Sequence, residues 1–277
     1  MEQAHISIGT RRLDLGGLLR PVVGDAVAIE RTAQAYREAT PAPHAEVDGL
    51  FDESLLDLVE KEFDTMPRWR EVRSRREHVF RSVSSEDFGP ATRLYMAAVN
   101  SPEFLAYLSR VTGIANLIAD VTATGGGPHE TRNGGYFGVH RDFVYHRETG
   151  LVNALVVITY LNRDWEPEYG GDLELWDKRG RVRGTHPLFG RTIMLGHPHR
   201  AFHGCPKPLA APEGRHRRSI ASYYYVNPHV ARETTRSSIF LDNPTINERL
   251  RLIARGATPP AIWSLVGAAK QKVRGRA

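Results

Sequence analysis

The residues of this chain with the clearest capacity for chemistry are His140 and Asp142, in the triplet His140-Arg141-Asp142. In an extended strand, residues two apart point to the same face, so the imidazole and the carboxylate would converge on one point. With one more histidine they would offer two nitrogens and one anionic oxygen on one face of an octahedron, which suits Fe(II) and leaves three positions open. Chance supplies a His-x-Asp triplet in roughly half of chains with this many histidines, so the triplet needs further support.

The third ligand must come from a different strand, and three histidines follow at a suitable distance along the chain: His197, His199 and His203. We favour His203, because it follows a short apolar pair and precedes Gly204, a pattern typical of a strand that carries a ligand and then turns. His197 and His199 flank Pro198 in what the pattern predicts to be a loop, where we expect them to be exposed.

An arginine pair fourteen residues after His203 could hold an anionic co-substrate. Arg217 opens a predicted strand, and alternation along that strand places it on one face and Arg218 on the other. A guanidinium fork matches a carboxylate in bidentate fashion, and the nearby hydroxyl of Ser219 would add a hydrogen bond. The face predicted to carry Arg217 also carries Ser219, Ala221, Tyr223 and Tyr225.

These residues lie in the middle of three zones, and we predict a single domain over residues 1–277. Residues 28–120 are expected to be mainly helical, with capped helices near 52–63 and 101–113. Residues 121–228 contain several short strands at near-regular spacing, which favours a sandwich or jelly roll over a parallel sheet. Residues 229–277 are predicted to be an extension with two short helices, the second of them basic.

Composition sets broad limits. The chain has 277 residues, of which 41% are apolar, enough for a hydrophobic core without a structural metal. Its single cysteine, Cys205, allows no intrachain disulfide, and we interpret it as a small buried residue, since a thiolate ligand would favour zinc or copper. The absence of a leader-like N-terminus, together with the lone cysteine, predicts a cytoplasmic protein. Scattered arginines argue against a nucleic-acid partner despite the net charge of +5, and no apolar run is long enough for a membrane span.

The segment from Gly125 to Asn227 resembles the prolyl-4-hydroxylase-like branch of the Fe(II)/2-oxoglutarate dioxygenases. The resemblance rests on seven pieces in the expected order: Gly125-Gly126-Gly127-Pro128-His129, Gly134-Gly135, His140-Arg141-Asp142-Phe143, Thr159-Tyr160-Leu161-Asn162-Arg163-Asp164-Trp165, Gly170-Gly171-Asp172-Leu173-Glu174-Leu175-Trp176, His203-Gly204, and Arg217-Arg218-Ser219 with Tyr223-Tyr224-Tyr225. It covers the central hundred or so residues strongly and the helical N-terminal region loosely.

The resemblance implies an α+β fold whose core is a double-stranded β-helix (a cupin-like jelly roll) with flanking N-terminal helices. It implies His140, Asp142 and His203 as iron ligands, and Fe(II), 2-oxoglutarate and O2 as cofactors, with ascorbate as a supporting reductant. Arg217 would pair with the distal carboxylate of 2-oxoglutarate, Tyr160 would reach the same carboxylate, and Ser219 would assist. The implied reaction is hydroxylation of an unactivated C–H of a small molecule or peptidyl residue, with release of succinate and CO2.

Two departures from related branches narrow the chemistry. Related halogenases have a small residue where Asp142 stands, so oxidation is favoured over halogenation. Nucleobase demethylases have a second arginine where Tyr223 stands, which disfavours that branch. The three consecutive tyrosines at 223–225 are predicted to fill the core.

Two other classes stay open on sequence grounds. One is a cupin-like metalloenzyme that does not use 2-oxoglutarate, and the other is a non-catalytic jelly-roll binding module. The substrate is not readable, although we expect the helical N-terminal region and the loop 143–150 to line its pocket. His146 and Arg147 in that loop could contact a polar or anionic substrate, but a surface loop is the favoured interpretation. The sequence does not specify an oligomeric state.

Overall fold

A computed structural model describes residues 4–228 of the chain, together with the backbone of the pair 239–240. Apart from that pair, the predicted C-terminal extension 229–277 and its two helices lie outside the described residues. The prediction of one domain over the whole chain therefore stays a prediction.

Four helices precede the main run of strands, and their ends follow the local sequence. The Asp52 side chain accepts a hydrogen bond from the Leu55 amide at the start of one helix, and Ser101 does the same for Phe104 at another. Gly113 ends the latter helix with a φ of 72°, a left-handed conformation that favours glycine. Both helices confirm the sequence predictions to within two residues. The helices are α1 (Ala26–Glu38), α2 (Glu53–Thr65), α3 (Pro90–Val99) and α4 (Pro102–Thr112).

The rest of the structure is mainly strand. The strands are β1 (His5–Ile8), β2 (Arg11–Asp14), β3 (His44–Asp48), β4 (Trp69–Arg73), β5 (Glu77–Ser82), β6 (Ile118–Ala119), β7 (Gly127–Thr131), β8 (Tyr136–Arg141), β9 (Val152–Tyr160), β10 (Leu173–Asp177), β11 (Gly180–Thr185), β12 (Arg191–Gly196), β13 (Phe202–Cys205), β14 (Arg217–Val226) and β15 (Ile239–Phe240).

Thirteen of these strands form one antiparallel sheet that curls into a nearly closed, barrel-like jelly roll. Its order is β11-β10-β13-β8-β5-β7-β14-β9-β12-β3, with β4 added to β5, β6 to β14 and β15 to β8. Strands β1 and β2 form a separate hairpin. The fold is the double-stranded β-helix that the sequence resemblance implied.

The two faces of the central strands have different neighbours, because side chains alternate along each strand. One face of β9, β12 and β14 packs against the helices and contributes Leu155, Met194 and Tyr224 to the largest hydrophobic cluster. The opposite face of β14 lines a pocket inside the barrel. A single strand therefore anchors the helical layer and supplies pocket residues at the same time.

The N-terminal zone is less purely helical than predicted. Strand β3 extends the sheet beside β12, and β5 is inserted between β7 and β8 in the middle of the barrel. Strands β4 and β5 mix charged and apolar residues without a regular alternation, so the sequence gives no clear strand signal for them. The part of this zone that lines the pocket is strand β5, not a helix as we expected.

None of the helices in the described part of the chain is long and apolar enough to cross a membrane.

Candidate active site

The structure brings His140, Asp142 and His203 together inside the barrel. His140 lies on β8 and His203 on the neighbouring β13, where the two residues are directly paired. Asp142 follows the end of β8, and its backbone N–H donates to the carbonyl of Pro198. All three side chains are buried, and one potential ligand atom from each lies within 4.8 Å of the others.

The hydrogen bonds of the two histidines fix which ring nitrogen faces the pocket. Nδ1 of His140 lies 2.9 Å from the carbonyl oxygen of Gly138, and Nδ1 of His203 lies 3.0 Å from that of Ala201. A carbonyl only accepts, so each Nδ1 carries the proton, and each Nε2 of a neutral ring presents a lone pair. The Nε2 atoms lie 3.1 Å and 3.7 Å from Oδ1 of Asp142.

These separations suit a shared divalent cation. Two ligands that are each about 2.1 Å from a metal and at right angles lie about 3 Å apart. Without a cation or a proton between them, two lone pairs and a carboxylate oxygen would repel one another in a buried site. The donor set of two imidazoles and one carboxylate therefore fits a divalent metal such as Fe(II).

Asp142 is held in its charged form. Burial raises the pKa of this carboxyl, but the positive charge that His203 and His140 carry when they are protonated in the metal-free site, together with a hydrogen bond from Tyr223, outweighs burial and lowers the pKa to about 2. The Tyr223 hydroxyl donates to Oδ2 at 3.1 Å, which leaves Oδ1 turned toward the two histidines. Burial lowers the pKa of His203, which favours the neutral ring that a metal requires.

A buried guanidinium lies deeper in the same pocket. Arg217, at the start of β14, is 8% exposed, and its Nε donates to the carbonyl of Gly171 at 2.6 Å. A Cβ on Gly171 would lie 3.0 Å from the Arg217 side chain, and its φ of 84° also favours glycine. The close approach of this turn therefore depends on the second glycine of the Gly170-Gly171 pair.

Tyr160 and Ser219 lie beside Arg217. The Arg217 Nη2 is 3.5 Å from the Tyr160 hydroxyl, and Ser219 is paired directly with Tyr160 between β14 and β9. Burial raises the pKa of Tyr160 to about 12, so its hydroxyl keeps a proton to donate. Arg217 and Ser219 share the pocket face of β14, whereas Arg218 points outward to Glu130 and Asp64. All six predicted site residues are thus in one region of the barrel.

The other candidates are not directed at this centre. His197 and His199 occupy the turn after β12 and are half-buried, not exposed as expected, with Nδ1 of His199 2.8 Å from the Asn153 carbonyl oxygen. Cys205 is buried, as predicted, and burial raises the pKa of its thiol. The prediction of a surface loop around His146 was wrong for that side chain, which is buried edge-on against Tyr225.

The pocket residues missed from the sequence include Tyr223, His129 and Arg81. Tyr223 was predicted to fill the core, although it lies six residues from Arg217, and strand alternation had already placed it on the same face. His129 follows three glycines and a proline, a composition that predicts a turn and gives no signal for a buried side chain. Arg81 carries no local signal, because only the insertion of β5 between β7 and β8 brings it to the pocket.

Comparisons with known proteins agree with this geometry. Residues 127–225, which include all six predicted site residues, match the family model of the 2OG-Fe(II) oxygenase superfamily. This segment is therefore similar to that superfamily, whose class is that of the 2-oxoglutarate-dependent oxygenases. A search of curated proteins finds no match.

Solved structures share the fold at low sequence identity. A prolyl-4-hydroxylase from Pseudomonas putida is 15% identical with a TM-score of 0.52, and the match covers 71% of this chain and 100% of that one. A prolyl hydroxylase from Trichoplax adhaerens, solved with a peptide fragment of a hypoxia inducible factor oxygen degradation domain, is 16% identical with a TM-score of 0.51, covering 73% and 93%. These neighbours confirm the prolyl-4-hydroxylase-like type of double-stranded β-helix.

The close contact of β13 with β8 makes Gly204 a sensitive position for metal binding. A Cβ there would lie 2.8 Å from the carbonyl oxygens of both Gly138 and Phe137, and backbone atoms cannot swing away. We expect Gly204→Ala to separate the two histidines and to weaken Mn(II) binding, measured by calorimetric titration, by about tenfold or more. Gly24→Ala is the matched control, because its Cβ would meet nothing closer than 3.7 Å. Equal metal affinity in the two variants would contradict this prediction.

His129 should make the stability of the metal-free protein depend on pH. Burial and the nearby Arg81 and Arg217 lower the pKa of His129 to about 3, whereas an unfolded histidine titrates near 6.5. As the pH falls below about 6.5, the unfolded chain binds a proton that the folded chain does not, so the free energy of unfolding decreases.

Urea denaturation at about pH 7.5 and about pH 5 measures this effect. His129→Gln should lose less stability between the two pH values than the wild type, since glutamine does not titrate. The same loss in both proteins would show that His129 is not the group responsible.

Proposed function

We propose that this protein is a hydroxylase that uses His140, Asp142 and His203 to bind Fe(II). The observation that carries the proposal is the convergence of two histidine lone pairs on one buried carboxylate oxygen, in the strands that match the oxygenase family. The substrate would be a small molecule or a peptidyl residue with an unactivated C–H. The Trichoplax neighbour, whose structure contains a peptide, supports the peptidyl option by analogy of fold only.

A group of pocket residues would bind 2-oxoglutarate at the end that lies away from the metal. Arg217 would pair with the distal carboxylate, helped by the hydroxyls of Tyr160 and Ser219. The Gly171 carbonyl already accepts from Nε of Arg217, so the guanidinium is oriented before the co-substrate arrives. Because Arg217 is buried, its attraction for a carboxylate is little weakened by water.

The iron would supply O2 activation coupled to decarboxylation of 2-oxoglutarate, giving succinate, CO2 and one oxygen atom for insertion into the substrate C–H. The chain's own residues would orient the metal ligands and enclose the pocket. Tyr223 would hold Oδ2 of Asp142 so that Oδ1 serves the metal, and the backbone carbonyls of Gly138 and Ala201 would keep both histidines in the required tautomer. The apolar side chains of Val79, Ile158 and Leu173 would limit water in the pocket.

The presence of Asp142 favours hydroxylation over halogenation. A carboxylate ligand fills the position that a halide would need, which favours hydroxylation. The buried Arg217 cradle disfavours a metalloenzyme that does not use 2-oxoglutarate, because a buried guanidinium with one carbonyl partner has unused donors. The same cradle disfavours a non-catalytic binding module.

The direct test is Fe(II)-dependent release of succinate from 2-oxoglutarate, with ascorbate present. Asp142→Ala should abolish release, because the metal loses its only anionic ligand. Arg217→Gln should raise the KM for 2-oxoglutarate by about tenfold or more, because a buried charged hydrogen-bonded pair is lost.

Arg218→Lys is the matched control for Arg217, since Arg218 is the next residue on the same strand and faces away from the pocket. It should change the free energy of unfolding without changing the KM for 2-oxoglutarate. Retained succinate release in Asp142→Ala would overturn the assignment of the metal ligands.

A further inference from the structure

A row of polar side chains crosses five neighbouring strands and connects the outside of the barrel with the co-substrate pocket. Arg70 on β4 is paired directly with Arg81 on β5, and Arg81 is paired with His129 on β7. His129 is in turn paired with Ser219 on β14, which is paired with Tyr160 on β9. Directly opposed residues of antiparallel strands lie on the same face, so all five side chains point to the inner side of the sheet.

The outer end of this row carries two guanidinium groups and one nearby carboxylate. Arg81 lies 2.5 Å from Glu77, and both side chains are mostly buried. Arg70 is exposed and makes no ion pair or side-chain hydrogen bond within the described part of the chain. Like charges directly opposed across two strands destabilise a sheet, and an anion between them would remove that cost.

A polar cleft lies over this pair and opens into the metal pocket. Arg81 and His129 line both spaces, so the two are continuous. The Nε2 of His129 is buried and has no hydrogen-bond partner, although buried ring nitrogens normally have one. Five of the other lining residues carry hydroxyl groups: Ser82, Ser84, Ser85, Thr122 and Thr124.

The anion that suits this cleft is not 2-oxoglutarate. Arg81 is two strand spacings from Ser219, about 10 Å across the sheet, so the cleft is separate from the Arg217 cradle. In the proposed complex the charges of Fe(II), Asp142, Arg217 and the 2-oxoglutarate dianion cancel. Glu77 balances one of the two guanidinium charges of Arg70 and Arg81, so one net positive charge at this end of the row is not used by the co-substrate and can attract a second anionic molecule.

We propose that the substrate carries an anionic group, a carboxylate or a phosphate, which binds between Arg70 and Arg81 in the cleft beside the metal pocket. This inference rests on the proposed function and narrows its substrate class. The anionic group is held at one end while the C–H to be oxidised reaches past His129 to the metal. His129 and the cleft hydroxyls supply the remaining hydrogen bonds.

The first experiment measures anion binding without catalysis. The full chain is loaded with Zn(II), a diamagnetic substitute for Fe(II), and with saturating 2-oxoglutarate, so that the Arg217 cradle is filled, and is titrated with inorganic phosphate or with acetate while amide chemical shifts are recorded. We expect saturable binding of one of these anions, which distinguishes a phosphate from a carboxylate subsite. Arg70→Gln should weaken that binding by about fivefold, the effect of one partly solvated charge contact.

Arg73→Gln is the matched control, because Arg73 lies on the same strand as Arg70 but on its opposite face. It should bind the anion as the wild type does. Glu77→Gln combined with Arg81→Gln removes the mostly buried ion pair as a unit, so neither charge is left alone, and it should also weaken binding. No saturable binding in the wild type, or equal weakening in Arg73→Gln, would overturn the proposal.

The second experiment tests substrates in matched pairs. Candidate acids and their neutral carboxamides are compared for stimulation of succinate release, and we expect the acids to be preferred by about tenfold or more in kcat/KM. Arg70→Gln should reduce that preference by raising the KM for the acid. Equal stimulation by acids and amides would overturn the proposal.

Binding of 2-oxoglutarate to the Fe(II)-loaded wild type separates this inference from the proposed function. If 2-oxoglutarate binds and no second anion does, only the anion subsite fails. If 2-oxoglutarate does not bind, the proposed function fails.

Discussion

The rest of the site depends on the direct pairing of His203 with His140 between β13 and β8. This pairing places two ring nitrogens against the carboxylate of Asp142 in a buried space, where three electron-pair donors repel unless a cation joins them. The backbone maintains the arrangement at close range, since a single methyl group on Gly204 would collide with two carbonyl oxygens of β8. Both histidines also donate a hydrogen bond from Nδ1 to a backbone carbonyl, so the fold sets their tautomer before any metal binds.

Strand β14 joins the helical layer to the pocket. Strand β14 packs one face against the helices through Tyr224 and offers Arg217, Ser219 and Tyr223 on the other. A movement of the helical layer would therefore shift the pocket residues of β14. The helices are capped locally, by Asp52 and Ser101 among others, so this layer has well-defined ends where it meets the barrel.

Much of the fold and the outline of the candidate site could be predicted from local patterns. The alternation of residues along β14 correctly grouped Arg217 with Ser219 and separated Arg218 from them, because a strand has a period of two. The caps and the αL glycine of α4 were equally readable. The family match now covers the strands that carry all six predicted residues.

What could not be predicted depends on pairing between distant segments. Strand β5 has no regular alternation of polar and apolar residues, and nothing in its own sequence shows that it lies between β7 and β8 or that Arg81 reaches the pocket. The bond from Tyr223 to Asp142 joins residues 81 positions apart. His146 looked like part of a surface loop, yet burial against Tyr225 turns it inward. In each case a non-local contact decided the outcome, and local propensity carries no information about it.

The central claim is that His140, Asp142 and His203 together hold iron. X-ray absorption at the iron edge of the anaerobic Fe(II)-loaded protein tests it most directly. The account predicts a first shell of nitrogen and oxygen atoms, with the outer-shell scattering of two imidazole rings and no sulfur. Loss of one imidazole contribution in His203→Ala would be expected. A sulfur scatterer at about 2.3 Å, which would point to Cys205, or a shell with no imidazole contribution, would contradict the account.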